Sequence, residues 1–366
     1  MRKAEMTHRE RIMAAINHQP TDRIPMDYWG VPEITEKLMK HFNVKDMLSL
    51  SKALDLDKIM GVGAPMIKPG RKGEWDIEIQ RIPLPDGSGY YDEPLSHPIG
   101  NYETIDEIEA SYEWPTTDMF DYSQIKTQCI NYHNEGYAVS GGYISLTYFY
   151  EMVRGTEQML MDFAADENLA EYVLFKLNEF ASAHVYKILE AADGLIDITE
   201  VTDDFGCQHG LLMSTEMIDR YLGKYYVSNV AMGKSFGAKI FHHDDGAIQS
   251  LVPWIVEKGC EILNPLQWHL PGWDLHLLKK QHGKQLCFHG GIDNQDVLAF
   301  KGPEEVKKEV KACIDALYTD KTGYILAPCH NLQAITPIEN VLTMYEFAKE
   351  YSTSCSRWRC VPVAHA

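Results

Sequence analysis

From about residue 138 onwards, short apolar runs alternate with longer stretches whose apolar residues recur every three or four positions. The short runs have the length of buried β-strands, and the longer stretches have the period of amphipathic helices. This alternation is typical of parallel α/β folds, in which a helix follows each strand. Together with two earlier runs, the pattern predicts strands near residues 26, 58, 140, 198, 240, 264, 287 and 325.

Eight parallel strands that alternate with helices close into a (β/α)8 TIM barrel, whose active site lies at the carboxyl ends of the strands. An open, doubly wound sheet is the alternative, and it usually carries a GxGxxG motif directly after its first strand. No such motif follows the run near residue 26, which favours the barrel. We therefore expect residues 1–366 to form a single α/β barrel domain.

The pattern changes between about residues 64 and 122. This segment is rich in proline and glycine, contains a turn sequence at Asp86–Gly89, and alternates in polarity in stretches such as Trp75–Ile82. Alternating stretches around a glycine-containing turn are typical of a β-hairpin. We expect a hairpin-rich insertion after the second barrel strand, long enough to serve as a lid or a partner surface.

The composition is that of a soluble globular protein, with 45% hydrophobic and 24% charged residues. No apolar run approaches the roughly 18–20 residues that cross a bilayer. The charged N-terminus lacks the apolar block of a signal peptide, so we expect a cytoplasmic location. Acidic residues outnumber basic ones by 53 to 34, which argues against binding to the phosphate backbone of nucleic acids.

The eight cysteines form no CxxC pair. In a cytoplasmic protein of this size we expect most of them to be reduced, buried and apolar in character. Cys329 is the exception, because its neighbours are able to bind a metal or move a proton.

Polar residues follow five successive predicted strands. On a barrel the carboxyl ends of all strands meet at one face, so these side chains should share one mouth. A single histidine or cysteine at a strand end is more often a structural group. The residues concerned are Asp203 and Asp204, His242, His243 and Asp245, Gln267, His289 and Asp293, and Cys329 and His330.

The combination of a His-x-Asp motif with a cysteine on a neighbouring strand indicates a metal site at His243, Asp245 and Cys329. Imidazole, carboxylate and thiolate are the usual donors to zinc, and three protein ligands leave one position open for substrate. A shift of one residue in the strand would exchange His243 for His242. Without a metal, the same residues could act as an acid and a base.

Several segments carry a resemblance to a known family. In their order they resemble the uroporphyrinogen decarboxylase superfamily over nearly the whole chain. The resemblance implies a (β/α)8 barrel. It does not identify the reaction, because one fold hosts several chemistries. The segments are Pro20–Pro25, Arg154–Glu157, Asp203–Gly206, His243–Gly246, Asn264–Gln267, Gly290–Asp293 and Pro328–Asn340.

True decarboxylases of this superfamily carry arginines after the first strand that bind the substrate's carboxylates, and a catalytic aspartate just after the second strand. The corresponding segments here are Met26–Pro32, which has no arginine, and Met60–Gly63, which has no carboxylate. This branch therefore fits the chain poorly. A decarboxylase-like lyase without a cofactor is kept as an alternative, as is a non-catalytic barrel that binds a corrinoid or a tetrapyrrole.

The other main branch comprises the corrinoid-dependent methyltransferases, some of which bind zinc through a His-x-Cys-Gly motif and a later cysteine. In this chain the three positions correspond to His243, Asp245 and Cys329. A carboxylate in place of a thiolate makes zinc a harder Lewis acid, which suits an oxygen ligand. The resemblance implies methyl transfer between a small methoxy or methylamine-type donor and the cobalamin of a separate corrinoid protein, and it leaves a homodimer open.

In such a reaction, zinc or a nearby acid would stabilise the leaving oxygen, the candidates being Asp203 and His330. His242 is a further candidate for proton transfer. The aromatic residues Trp29 and Tyr143–Tyr150 would line a pocket for an aromatic ether, or else belong to the core. The predicted substrate-binding residues are Asp27, Trp29, Tyr143, Tyr148, Gln267, His289 and Asp293.

Overall fold

The structure is a computed structural model that describes residues 5–83 and 90–354. Its strands are β1 (Met60–Val62), β2 (Ile79–Pro83), β3 (Tyr90–Pro94), β4 (Val139–Ser145), β5 (Ile198–Thr202), β6 (Gly206–Cys207), β7 (Gly210–Leu211), β8 (Lys239–His243), β9 (Ile262–Asn264), β10 (Cys287–Ile292) and β11 (Tyr324–Pro328). A curled sheet of seven parallel strands runs β1-β4-β5-β8-β9-β10-β11. Each connection leads to the next strand in the sheet, as in a TIM-like barrel.

Helices separate the strands of this sheet. They are α1 (His8–Ile16), α2 (Pro32–Phe42), α3 (Met47–Leu54), α4 (Ile105–Ser111), α5 (Ile125–Asn134), α6 (Leu146–Arg154), α7 (Thr156–Ala165), α8 (Glu167–Ala192), α9 (Thr215–Ile218), α10 (Lys224–Ser235), α11 (Val252–Glu257), α12 (Leu275–His282), α13 (Val297–Phe300), α14 (Pro303–Leu317) and α15 (Ile338–Ser354). None of the helices in the described part of the chain combines the length and the apolar character that crossing a membrane requires.

The predicted strands near residues 140, 198, 240, 264, 287 and 325 are confirmed, but the first two differ from the prediction. The segment at Met26 is not a regular strand and pairs with β11 through one bridge to Leu326. The reason is that the Met26 amide donates to the Asp57 carboxylate at 3.0 Å instead of to a neighbouring strand. Asp57 in turn donates its amide to the Met26 carbonyl at 2.7 Å, and the strand predicted near residue 58 begins only at Met60.

The segment predicted as an insertion contains an antiparallel hairpin, β2 with β3, in which Ile79 pairs with Pro94 and Pro83 with Tyr90. The predicted turn at Asp86–Gly89 lies outside the described residues. All of β2 and most of β3 are exposed, so the hairpin adds little to the core. Helix α4 and a short 3-10 turn complete the segment.

The strand β4 is interrupted by a bulge. Ser140 pairs with Ile198 but Tyr143 pairs with Glu200, so two glycines of β4 face one residue of β5. Gly142 has a φ of +85°, and a Cβ there would lie 2.7 Å from a Val185 methyl. Only glycine fits this position without strain, and its lack of a side chain leaves space behind the sheet.

Candidate metal centre and active site

Three side chains meet at the carboxyl ends of β8 and β11. His243 is the last residue of β8, Asp245 follows two residues later, and His330 lies two residues beyond β11. One donor atom from each lies within 4.8 Å of the others. Asp245 Oδ2 is 3.9 Å from His243 Nε2 and 3.8 Å from His330 Nε2. These distances are too long for hydrogen bonds, and they suit an ion with bonds of about 2.0–2.2 Å to each ligand.

Hydrogen bonds determine the orientation of His243. Its Nδ1 lies 2.5 Å from Asn264 Oδ1, which can only accept, so Nδ1 carries the proton and Nε2 offers a lone pair toward Asp245. The Asn264 amide then donates to His289 Nδ1 at 2.8 Å. His289 Nε2 donates to Asp27 Oδ2 at 3.0 Å. The chain of bonds thus sets the tautomers of both histidines.

The carboxylate of Asp27 is the last acceptor in this series of hydrogen bonds, and it is fully buried. Burial opposes its ionisation, but the Lys58 ammonium and the hydrogen bond from His289 outweigh burial and lower its pKa to about 2. The Lys58 nitrogen lies 3.4 Å away. Asp27 and His289 were predicted to contact substrate, and the contacts of the structure give both a role in orienting His243.

Cys329, a predicted ligand, lies outside the cluster. Its thiol is 3% exposed and donates to the Leu266 carbonyl at 3.1 Å. Burial raises the pKa of this thiol well above its usual value. The adjacent His330, predicted as an acid, faces Asp245 instead. The structure therefore brings His243 and Asp245 together with His330 rather than with Cys329.

The two histidines at the end of β8 point in opposite directions, as successive strand residues do. His242, a predicted catalytic residue, is fully buried, and its Nδ1 lies 3.0 Å from the Tyr226 hydroxyl of α10. Burial lowers its pKa to about 3, which keeps it neutral. The structure thus separates His242 from the cluster, and His243 is the histidine that faces the mouth.

The two aspartates after β5 also diverge. Asp203 is 4% exposed, and its Oδ1 accepts from the Thr147 amide and hydroxyl and from the Ser145 hydroxyl at the start of α6. Burial raises its pKa to about 7. Asp204 lies 3.9 Å from His243 Nε2, and burial raises its pKa as well. Asp204 is therefore the acid that faces the cluster. The sequence indicated the pair of adjacent aspartates but not which of the two faces the mouth.

Two predicted substrate-binding residues hold loops at the mouth. Gln267 Oε1 accepts from the Gly246 amide at 2.5 Å, which joins the loops after β9 and β8. The Asp293 carboxylate accepts from the amides of Gln295 and Val297, among others, and so caps α13. Both oxygens of Asp293 are engaged with the backbone.

The ring of Trp29 covers the cluster. It stacks on His243 with ring centroids 5.6 Å apart and approaches His330 at 6.4 Å. Its Nε1 donates to Asp27 Oδ2 at 3.2 Å. Beneath the ring lies a cavity of about 290 Å³ whose lining includes Trp29, Asp27, Lys58, Glu200, Phe241 and Asn331. This cavity borders the cluster through Trp29 and Asn331, the neighbour of His330.

Tyr143 and Tyr148, which were predicted either to bind substrate or to belong to the core, are 41% and 40% exposed. They are therefore not core residues. Both rings pack against Phe149, with centroids 5.7 and 6.1 Å away. Tyr143 also lines a second cavity of about 340 Å³. Glu200 lines both cavities, so they lie next to each other.

Glu200 is a residue that the sequence reasoning missed. It is the middle residue of β5, and burial raises the pKa of its carboxyl. A glutamate inside a short, otherwise buried strand was the available signal, because ionised residues are rarely buried without a partner. Its place between two cavities was not evident from the sequence.

The uroporphyrinogen decarboxylase (URO-D) family model matches residues 138–351, more than half of the chain. The chain therefore belongs to the uroporphyrinogen decarboxylase family, which confirms the resemblance seen in the sequence. The matched region runs from β4 to α15 and includes all three residues of the cluster.

Among solved structures, a methyltransferase from Methanosarcina mazei is similar to this chain with a TM-score of 0.66 and 16% identity, over 95% of this chain and 99% of that chain. A glycoside hydrolase family 10 xylanase from Gloeophyllum trabeum gives a TM-score of 0.47 and 11% identity, over 89% and 96%. A B12-independent methionine synthase from Shewanella sp. W3-18-1 gives 0.43 and 9%, over 89% and 96%. At 16% identity, the similarity to the protein from Methanosarcina mazei shows a shared fold and nothing more. No curated protein sequence matches the chain.

Proposed function

We propose that this protein is a zinc-dependent methyltransferase. It would move a methyl group between a small methoxy or methylamine-type donor and the cobalamin of a separate corrinoid protein. The cluster of His243, Asp245 and His330 at the mouth of a TIM-like barrel carries the proposal. Family membership and the likeness to the methyltransferase from Methanosarcina mazei support it. We further infer that the segment at Met26 takes the eighth place in a single barrel domain.

Two observations on the cluster fit a bound metal ion. Asp245 Oδ1 is buried and has no hydrogen-bond partner among the described residues, which is unfavourable unless a cation is bound. His243 Nε2 offers its lone pair toward the other oxygen of this carboxylate, Oδ2, because Asn264 holds Nδ1. Two imidazoles and a carboxylate with an open position form a donor set of catalytic zinc, and a zinc ion held here would supply a Lewis acid for a substrate oxygen.

The surrounding residues have distinct roles in this proposal. The Trp29 ring shields one side of the cluster from water. Asp204 is placed to act as an acid toward the leaving oxygen, because its carboxyl group lies at the mouth, 3.9 Å from His243 Nε2. Asp203, the acid predicted from the sequence, is bound to the start of α6 through Oδ1 and has a structural role.

The charges of the two cavities disfavour decarboxylation of uroporphyrinogen, whose many carboxylates require a basic site. Among the described residues that line them, Lys58 is the only lysine or arginine, and it is paired with Asp27. Glu74 and Glu200 add acidic side chains to the lining of the second cavity.

The reaction can be tested with zinc-loaded protein, free cob(I)alamin and a panel of methyl ethers and methylamines. We expect protein-dependent conversion of cob(I)alamin to methylcobalamin, followed by its visible absorbance, with loss of activity in His243→Ala. The exposed His209 provides the matched control, since His209→Ala should retain activity. Formation of coproporphyrinogen from uroporphyrinogen, or cobalamin binding without turnover of any donor, would contradict the proposal.

The orienting role of Asn264 leads to a separate prediction. Asn264→Ala should lower zinc affinity by roughly 10–100-fold, because the imidazole of His243 loses the partner that sets its tautomer. Competition with a fluorescent chelator measures this affinity. Asn229→Ala is the control, because Asn229 is equally buried but bonds to Asn178, away from the cluster. An unchanged zinc affinity in Asn264→Ala would show that the bond is incidental.

A further inference from the structure

The second cavity, of about 340 Å³, lies beside the candidate metal centre and has no role in the reaction described so far. It is bounded by the loop after β1, the bulge of β4 and the inner side of α8. Its volume is at the lower end of the roughly 300–1,000 Å³ of small-molecule sites. It therefore has room for a small ligand or for one end of a substrate.

The walls of this cavity combine aromatic rings with carboxyl groups. None of the described residues that line it is a lysine or an arginine. His184, which also lines it, is neutral at pH 7 because burial lowers its pKa to about 4. An anionic ligand would therefore find no positive partner here. The aromatic and acidic lining residues are Phe120, Tyr143, Phe149, Phe180, Glu74 and Glu200.

The half-buried carboxyl group of Glu200 has no hydrogen-bond donor beside it in the described part of the chain. Within residues 5–83 and 90–354, no group donates a hydrogen bond to its carboxylate. The Lys58 ammonium is paired with Asp27, and together with His243 it offsets only part of the effect of burial, so the pKa of Glu200 remains raised. A half-buried carboxylate in this state favours a cationic ligand, because burial without a partner is unfavourable.

The aromatic walls favour the same kind of ligand. The negative faces of aromatic rings attract quaternary and alkylated ammonium groups, which pair less well with water than a simple ammonium does. The rings of Tyr143 and Phe149 stand nearly perpendicular, with centroids 5.7 Å apart. A neutral ligand of the same shape would fill the space but would leave the Glu200 carboxylate without a partner.

We propose that this cavity binds an alkylated ammonium group at one end of the substrate, which is thus a small cation and not a neutral molecule. This inference rests on the proposed function, because it names the class of substrate for the same site. The cavity lies close to the cluster, since its lining residue Glu200 pairs in the sheet with Phe241, two residues before His243. The methyl donor would therefore lie with its cationic end between Tyr143 and Glu200.

Calorimetry with two probes tests this proposal: choline, and its neutral isostere 3,3-dimethylbutan-1-ol. We expect the wild-type protein to bind choline at least about tenfold more tightly than the alcohol. Glu200→Gln should remove most of this preference while binding the alcohol unchanged. Glu157→Gln, a change of an exposed glutamate in α7, should retain it. Equal affinities of the wild type for both probes, or no saturable choline binding, would overturn the proposal.

A second variant keeps the test decisive if Glu200→Gln fails to fold. Tyr143→Leu changes a ring that is 41% exposed, and it should weaken choline binding by about tenfold with little effect on the alcohol. Undiminished choline binding in Tyr143→Leu would count against the site. His330→Ala should still bind choline, because the cavity does not include the metal ligands. Failure of the metal proposal is thereby distinguished from failure of the cation site.

Discussion

Replacing His330 by alanine should remove zinc from the purified protein, whereas replacing Cys329 by alanine should leave about one zinc per chain. His330 Nε2 lies 3.8 Å from Asp245 Oδ2 at the mouth, while the Cys329 thiol is directed to the Leu266 carbonyl. Loss of a direct ligand should lower zinc affinity by more than the roughly 100-fold that an orienting residue can contribute. Inductively coupled plasma mass spectrometry measures the metal content of each variant.

This measurement also identifies the metal. Two histidines and a carboxylate hold iron in non-haem oxygenases as well as zinc, so iron and zinc should be measured together. His209→Ala is the control for a histidine outside the cluster. If Cys329→Ala loses its metal and His330→Ala retains it, the thiolate is the third ligand, as the resemblance to the methyltransferase branch implies. Circular dichroism of each variant establishes that metal loss does not reflect unfolding.

As the pH rises from about 4 to about 7, the wild-type protein should lose stability relative to Asp203→Asn. Burial raises the pKa of Asp203 from 3.8 to about 7, so between these values the folded state holds a proton that the unfolded state has released. The stabilisation by this proton is complete below pH 3.8 and is lost as the pH passes the folded pKa. The shift corresponds to about 4 kcal/mol in the free energy of unfolding.

Asparagine is the appropriate replacement, because its Oδ1 can accept the same bonds from Ser145 and Thr147 that the protonated carboxyl accepts. Urea unfolding across this pH range measures the effect, with Glu157→Gln as the control for an exposed acid. Some pH dependence should persist in Asp203→Asn, because burial also raises the pKa of Glu151 to about 7. Identical slopes in the wild type and Asp203→Asn would contradict the assignment.

Strand positions after residue 138 were predictable because strands buried on both faces are short, continuous apolar runs. The strand predicted near residue 240 is an example, since Ile240–Phe241 precedes the polar His242 and lies within β8. The segment at Met26 shows where this reasoning fails. Its apolar residues are buried as expected, but its amide bonds to the side chain of Asp57, and a local pattern contains no information on such a distant partner.

The sequence by itself determined the family, the class of fold, the strands β4, β5, β8, β9, β10 and β11, and the fact that polar groups gather at their carboxyl ends. Only the tertiary structure decided which member of each adjacent pair faces the mouth: His243 and not His242, Asp204 and not Asp203, His330 and not Cys329. Successive residues of an extended chain point to opposite sides. The side that faces the mouth depends on pairing between distant strands, such as that of Glu200 with Phe241, which no local stretch of sequence specifies.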